Sequence, residues 1–385
     1  YEGDRLENIT VRNCVLEEFD GSNQRGSVSY LHSGGFGVPY GSFFFDNVTL
    51  KNSIGIGMLL AGSSYSINNM RIDNLSSNAI LFSNPRYLNI SNVVISNTQN
   101  GISLGNNPTE NIFVNISFYN LSQVDIPIDS SSFLSTTIFS QFTNVTSNGF
   151  PISFYRFTGG SPVIENQEFS QLIIQDSGPM DLTLRNISLV NSEQRNEITF
   201  VNVNYLSSYL IEDSNISNSF AGLNFLDSQT FLCNLIVRNS YFSSNRNGIG
   251  ITGYTGDCLS NIQDTNQIYN NTFVYDDSFF IKGVRIENGE VHFNTSTIGN
   301  IWLTEDNQGF SQVCDDVDNN SICDNSFLVS SIVPHYDYLA QTSDVLFPQP
   351  IISSPSGESV SSLFPLSSFS SLFVIILLLL SFFFY

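Results

Sequence analysis

Apolar and polar positions alternate with a period of two along most of this chain, and one alternating phrase keeps returning. Asn47-Val48-Thr49-Leu50-Lys51-Asn52 recurs as Asn69-Met70-Arg71-Ile72-Asp73-Asn74, Asn92-Val93-Val94-Ile95-Ser96-Asn97 and Asn115-Ile116-Ser117-Phe118-Tyr119-Asn120. The leading asparagines are 22, 23 and 23 positions apart, and further copies read Asn8 to Asn13 and Asn186 to Asn191. Period two belongs to a half-buried strand, whose side chains point to alternate faces. A strand phrase that returns at this interval predicts a solenoid, whose coils stack to bury one shared core.

A short turn and a second apolar alternation follow the closing Asn. Examples are Asn78 to Phe82, Asn100 to Leu104, Ala221 to Phe225 and Asn247 to Ile251. Asn and Gly accept left-handed backbone at tight corners. Asn stacked on Asn in successive coils also predicts an amide ladder. No long stretch has helical periodicity. The combined pattern, Asn-apolar-x-apolar-x-Asn and then Gly-Ile-x-Leu, resembles the repeat of NosD-like right-handed parallel β-helix proteins over roughly Leu6 to Trp302. The resemblance implies an all-β, right-handed parallel β-helix, in keeping with the handedness of parallel strand connections.

Composition narrows the function. Charged residues are 12% of the 385, the net charge is −22, and polarity comes from Asn, Ser and Thr. With no basic patch to meet phosphates, nucleic acid is excluded as a partner. A Lys-poor acidic surface suits an extracellular protein. The chain opens on Tyr1, already within a repeat, so it is expected to start inside a longer precursor with its first coil truncated.

The expected organisation is a β-helix over 1–302, a C-terminal cap over 303–341, a Ser/Pro linker over 342–362 and a hydrophobic anchor helix over 363–385. Leu372 to Leu380 are nine consecutive apolar residues, and about 20 residues cross a bilayer. The tail reads as a membrane anchor or as a sorting signal that is removed, with a buried strand run as the alternative. An anchor would place the solenoid on the extracellular face of the cell envelope.

Five cysteines suggest two bridges. Cys314 and Cys323 bracket an eight-residue loop, while Cys233 and Cys258 are 25 apart, about one coil. Cys14 is left over. Bridges fit an exported protein. Twelve Asn-x-Ser/Thr sequons stand at Asn8, Asn47, Asn74, Asn89, Asn115, Asn120, Asn144, Asn186, Asn215, Asn270, Asn294 and Asn319. They are glycosylation candidates, although the repeat supplies such triplets by composition alone.

The sharpest local motif is Cys314-Asp315-Asp316-Val317-Asp318-Asn319-Asn320-Ser321-Ile322-Cys323-Asp324. Asp316, Asp318, Asn320, the Ile322 carbonyl and Asp324 fall at alternate positions, as a structural Ca²⁺ loop requires. Ser321 stands where the sharp turn prefers Gly, and no Glu closes the loop. The bland alternative is an acidic, disulfide-closed turn. Gly299-Asn300-Ile301-Trp302, Gly309 to Cys314 and Asp337-Tyr338-Leu339 resemble the closing module of NosD-like surface proteins, with Ala340 in place of its Pro. That resemblance implies a cap over the last coil's open edge, which would otherwise template aggregation.

No catalytic set is recognisable. Hydrolases need converging carboxylates, and the polygalacturonase-like motifs are missing. Lyases need a basic residue beside acidic ligands, but Arg156, Arg185, Arg238 and Arg285 are scattered in sequence. Met58, Met70 and Met180 read as core residues and not as copper ligands. Two insertions offer ligand loops. Tyr30, His32, Phe36 and Tyr40 lie among glycines before Asn47, and Thr252 to Gln263 holds Tyr254 and Asp257. Aromatic loops on rigid scaffolds can stack on sugars; packing over the N-terminal coil is the alternative. The expectation is a non-catalytic, surface-anchored scaffold for adhesion or for contact with carbohydrate or a cell-surface polymer. The competing reading is a carbohydrate-active lyase or hydrolase.

Overall fold

The computed structural model describes residues 8–18, 28–30, 41–61, 64–83, 85, 87–104, 110–127, 139–190, 197–201, 203, 206–219, 221–226, 232–245, 247–251, 266–275, 284–286, 291–330 and 335–342. The chain divides into two units, Tyr1–Pro350 and Ile351–Tyr385, and no residue of the second is among those described.

The described chain is a parallel β-solenoid. Ser42–Ser53, Ser64–Leu75, Tyr87–Ser96 and Glu110–Tyr119 stack in parallel register. Each is bent at an asparagine with left-handed backbone: Asn47, Asn69, Asn92 and Asn115 have φ between 52° and 55°. Register jumps over these corners, pairing Asp46 with Asn68 and Val48 with Met70. One strand therefore supplies two faces of a coil. A second left-handed corner, at Asn52, Asn74, Asn97 and Asn120, turns the chain toward a third face of Met58–Ala61, Asn78–Ser83 and Asn100–Leu104. The predicted second alternations are thus strands.

Asparagine is preferred at these corners because its short polar side chain tolerates left-handed φ and can bond its neighbour along the axis. Asn47 Nδ2 donates to Asn13 Oδ1 at 2.8 Å, Asn74 to Asn52 at 2.9 Å, Asn115 to Asn92 at 3.0 Å and Asn144 to Asn115 at 3.1 Å. The expected amide ladder is present. The first copy of the phrase, however, is misphased. The partner of Asn47 is Asn13, not Asn8, and Glu18 fills the closing left-handed corner at φ 59°. The coil before Asn47 is therefore 34 residues long, and its insertion is five residues shorter than the phrase from Asn8 implied.

Inward columns run unbroken through these coils. Phe45, Ile67, Ile90 and Phe113 form one, and Leu50, Ile72, Ile95 and Phe118 another, all buried. The expectation of a single shared core fails at Asn148 and Gly149, whose φ of 46° and 87° make a two-residue hairpin turn. Phe139–Ser147 and Phe150–Phe157 pair antiparallel there. Phe150–Phe157 then begins a second parallel stack with Gln171–Asp176, Ile198–Val201, Ala221–Leu226 and Asn247–Ile251.

The core changes sides of the sheet at this hairpin. Val145 and Ile152 belong to the first core, whereas Tyr155 and Phe157 pack on the second. Strand direction and core side invert together, so the winding sense is the same in both blocks. A small cluster of Ile173, Val201 and Leu226, with Phe142 and Phe154, adjoins the first core, with which it shares Phe142; Gln171 of the second block also bonds Ile126 of the first core.

The second block repeats the corner device at Asn166, Asn186, Asp213, Asn239 and Asn270, with φ from 47° to 57°. Its core ends in stacked rings: Phe242 on Phe273 at 4.8 Å, Phe273 on Trp302 at 4.6 Å and Trp302 against Phe327 at 4.8 Å. Phe327, Val329, Cys323 and Ala340 join this core. The one described helix is Phe310–Val313. Among the described residues no helix is long and apolar enough to cross a membrane; the predicted anchor, 363–385, lies outside them.

Candidate functional site

The outer side of the first block carries a cleft of about 220 Å³ lined by Ser42, Phe44, Ser64, Ser66, Tyr87, Asn89 and Ile112 among others. Register explains it. Phe44, Ser66, Asn89 and Ile112 occupy one outward column in four successive coils, and Ser42, Ser64 and Tyr87 occupy the next. Two small serines in one coil leave a floor between larger neighbours. Phe44 is 40%, Tyr87 52% and Ile112 40% exposed. The cleft combines ring faces and an apolar wall with hydroxyls and an amide, and none of its described lining residues is charged. No sequence motif marks it, because its residues lie a full coil apart.

His32, Phe36, Tyr40 and the Thr252–Gln263 insertion lie outside the described residues. Tyr30 belongs to a strand, Val28–Tyr30, on the third face beside Met58–Leu60, not to a loop.

The sequons fall into separate classes. Asn47, Asn74, Asn115, Asn144, Asn186 and Asn270 each donate Nδ2 to the ladder residue of the preceding coil, and Asn120 does so at 3.5 Å. Asn294 donates to the Thr295 carbonyl, and Asn215 has its Oδ1 buried. Asn89 is exposed on a strand, and its amide has no hydrogen-bond partner among the described residues. Asn8 and Asn319 sit at positive-φ turns, outside the cleft.

The acidic loop is closed by the expected Cys314–Cys323 disulfide, Cα–Cα 5.6 Å. Cys14 is free. Cys233 is disulfide-bonded, and its expected partner Cys258 lies outside the described residues. Within the loop, Asp316 accepts from the Asn320 and Ser321 N–H groups at 3.0 and 2.9 Å, and Asp324 accepts from Val317 N–H at 2.8 Å. Asp318 accepts from Asn320 and Asn320 Oδ1 from Ile322 N–H. Ser321 takes the left-handed backbone, φ 68°, that the motif normally gives to Gly. Among the described residues no three His, Cys, Asp or Glu side chains form a metal-holding group.

A buried polar ladder, missed in the sequence, runs up the second block. Ser214 N–H donates to Ser240 Oγ, Ser240 N–H to Asn271 Oδ1, Asn271 N–H to Asn300 Oδ1 and Asn300 N–H to Asp337 Oδ2. Asp337 also accepts from Trp302 Nε1 at 3.0 Å and from Leu339 N–H at 3.1 Å. The closing segment thus supplies the rung that a further coil would have supplied. Desolvation pushes the Asp337 carboxyl up to about 6, against the pull of these donors.

The scattered arginines are partly assembled. Arg185 and Arg238 both bond Glu212, at 2.7 and 2.6 Å, and Arg185 lies 3.8 Å from Glu165. This alternating outward column satisfies its own charges. Arg156 bonds Ser177. Glu197 is raised to about 7 by desolvation, while Asn224 and Thr199 bond it at 2.7 and 3.1 Å. Raised carboxyl pKa values mark functional candidates, and a hydrolase would pair such a group with a second carboxylate about 5–9.5 Å away.

Comparison with known proteins found no matching family model, no matching curated protein and no matching solved structure. The NosD-like resemblance therefore extends, as a finding, only to the parallel β-solenoid itself.

Proposed function

We propose that the chain is a non-catalytic β-solenoid scaffold, NosD-like in its repeat, that seats saccharide in the outer cleft of its first block. The cleft carries this reading: the Tyr87 and Phe44 rings flank a Ser64–Ser66 floor, and a sugar offers the matching mixture of C–H faces and hydroxyls. Rigid coils held by amide ladders suit display. Export to an envelope surface, with 363–385 as its membrane anchor, accords with the disulfide. Structural Ca²⁺ held by Asp316, Asp318, Asn320, the Ile322 carbonyl and Asp324 is part of the same proposal.

The second reading, a carbohydrate-active enzyme, draws on Glu197. A glycan panel separates the two. The purified full chain, made without N-linked glycan, is expected to bind saccharide without consuming it, and Tyr87→Ala or Phe44→Ala should weaken binding roughly five- to tenfold, the effect of removing one aromatic contact worth about 1 kcal/mol. Turnover that Glu197→Gln abolishes would establish the enzyme instead.

A further inference from the structure

We propose that the saccharide seated in this cleft is the protein's own, carried on Asn89. The inference rests on the reading that the cleft holds a sugar ring, and it names where the ring comes from. Asn89-Ile90-Ser91 is a sequon whose acceptor amide lines the cleft. It is exposed and uncommitted, unlike the seven sequon asparagines engaged in the ladders.

The ladder sequons resist modification for a physical reason. A glycan replaces one Nδ2 hydrogen and puts a ring beside coils about 4.8 Å apart. Asn115 and Asn144 are bonded to each other at 3.1 Å, so sugars on both would collide. At Asn89 the surroundings instead accept the ring. Tyr87 is two residues earlier and on the same side of the strand. In the coil below, Ser64 and Ser66 pair with Tyr87 and Asn89, which leaves room for a pyranose with hydroxyls beneath it. Phe44, one coil further, closes the far side.

The covalent step needs a sugar on a lipid diphosphate and a transferase at the membrane that exports the chain. Asn89 Nδ2 attacks the anomeric carbon, a C–N bond forms, the C–O bond to the diphosphate breaks, one amide proton is released and the lipid diphosphate leaves. No oxidation state changes. The attached ring then folds onto Tyr87.

Glycopeptide mapping by mass spectrometry of the full chain from its native source tests this. Asn89 should carry glycan, Asn89→Gln should lose that glycan's mass, and Asn47, Asn74, Asn115, Asn144, Asn186 and Asn270 should be bare. In Tyr87→Ala the glycan should remain attached but be trimmed faster by exoglycosidase; an unchanged trimming rate overturns the seating on Tyr87. Ladder asparagines modified as fully as Asn89 overturn the selectivity. If Asn89 is bare while free saccharide binds the cleft, the inference fails and the reading of the cleft stands. If Asn89 is bare and nothing binds, both fall.

Discussion

At the scale of single residues, one hydroxyl, amide or carboxylate per coil decides whether the backbone of the neighbouring coil is satisfied. Buried N–H groups need acceptors, and in the second block Ser240, Asn271, Asn300 and finally Asp337 supply them in turn. Asp337 differs from the other rungs in carrying a titratable group. Its folded pKa, about 6, lies above the ordinary aspartate value, so folding favours the protonated form. Stability from this group is complete below about pH 4 and is lost as pH rises through about 6. The loss is on the order of 3 kcal/mol. Asp337→Asn keeps an acceptor like that of Asn271 and Asn300 and should flatten the thermal-melting profile between pH 4 and pH 6. Asp337→Ala strands the Trp302 and Asn300 N–H groups and should destabilise at every pH, by about 1–3 kcal/mol for each orphaned donor. If Asp337→Asn melts with the wild-type pH dependence, another group governs that range.

At the scale of elements, the repeat phrase was readable because each Asn serves two purposes, the left-handed corner and the ladder bond, so composition and period agree. It misled where other residues filled the corner. Glu18 closes the first described coil and Asp213 turns a later one, and neither resembles the phrase. The reversal at Asn148-Gly149 was overlooked, although Asn-Gly is the dipeptide that favours a two-residue hairpin; the antiparallel pairing of Thr146 with Pro151 shows it. The cleft was invisible because Phe44, Ser66, Asn89 and Ile112 meet only after register is fixed. The acidic loop was visible throughout, down to the serine in glycine's place. Ser321 at φ 68° carries a left-handed cost of about 1–2 kcal/mol, so Ser321→Gly should stabilise the closing segment by about 1 kcal/mol. If the loop holds Ca²⁺, chelation should lower the melting temperature, and Asp318→Ala should remove that response. A chelator-insensitive melting temperature leaves the carboxylates as caps for N–H groups and nothing more.

At the scale of the whole molecule, the inversion at the hairpin makes two cores where a single period promised one. Coils interact chiefly with their neighbours, and among the described residues the blocks meet at the hairpin, at the small cluster around Phe142, Phe154 and Ile173, and where Asp125 and Ile126 bond Ser170 and Gln171. Their stabilities should therefore be separable. Trp302 is the chain's single tryptophan and lies fully buried in the second core, so its fluorescence reports that block, whereas far-UV circular dichroism reports both. Ile90 is fully buried in the first core, and Ile90→Ala should cost about 2–5 kcal/mol there. In a urea titration the substitution should move the early part of the dichroism curve and leave the fluorescence midpoint in place. Leu235→Ala, in the second core, should do the reverse. Coincident curves for both probes in both variants would mean that these contacts couple the blocks into one cooperative unit, and the hairpin would then be a bend in a continuous solenoid, not a boundary.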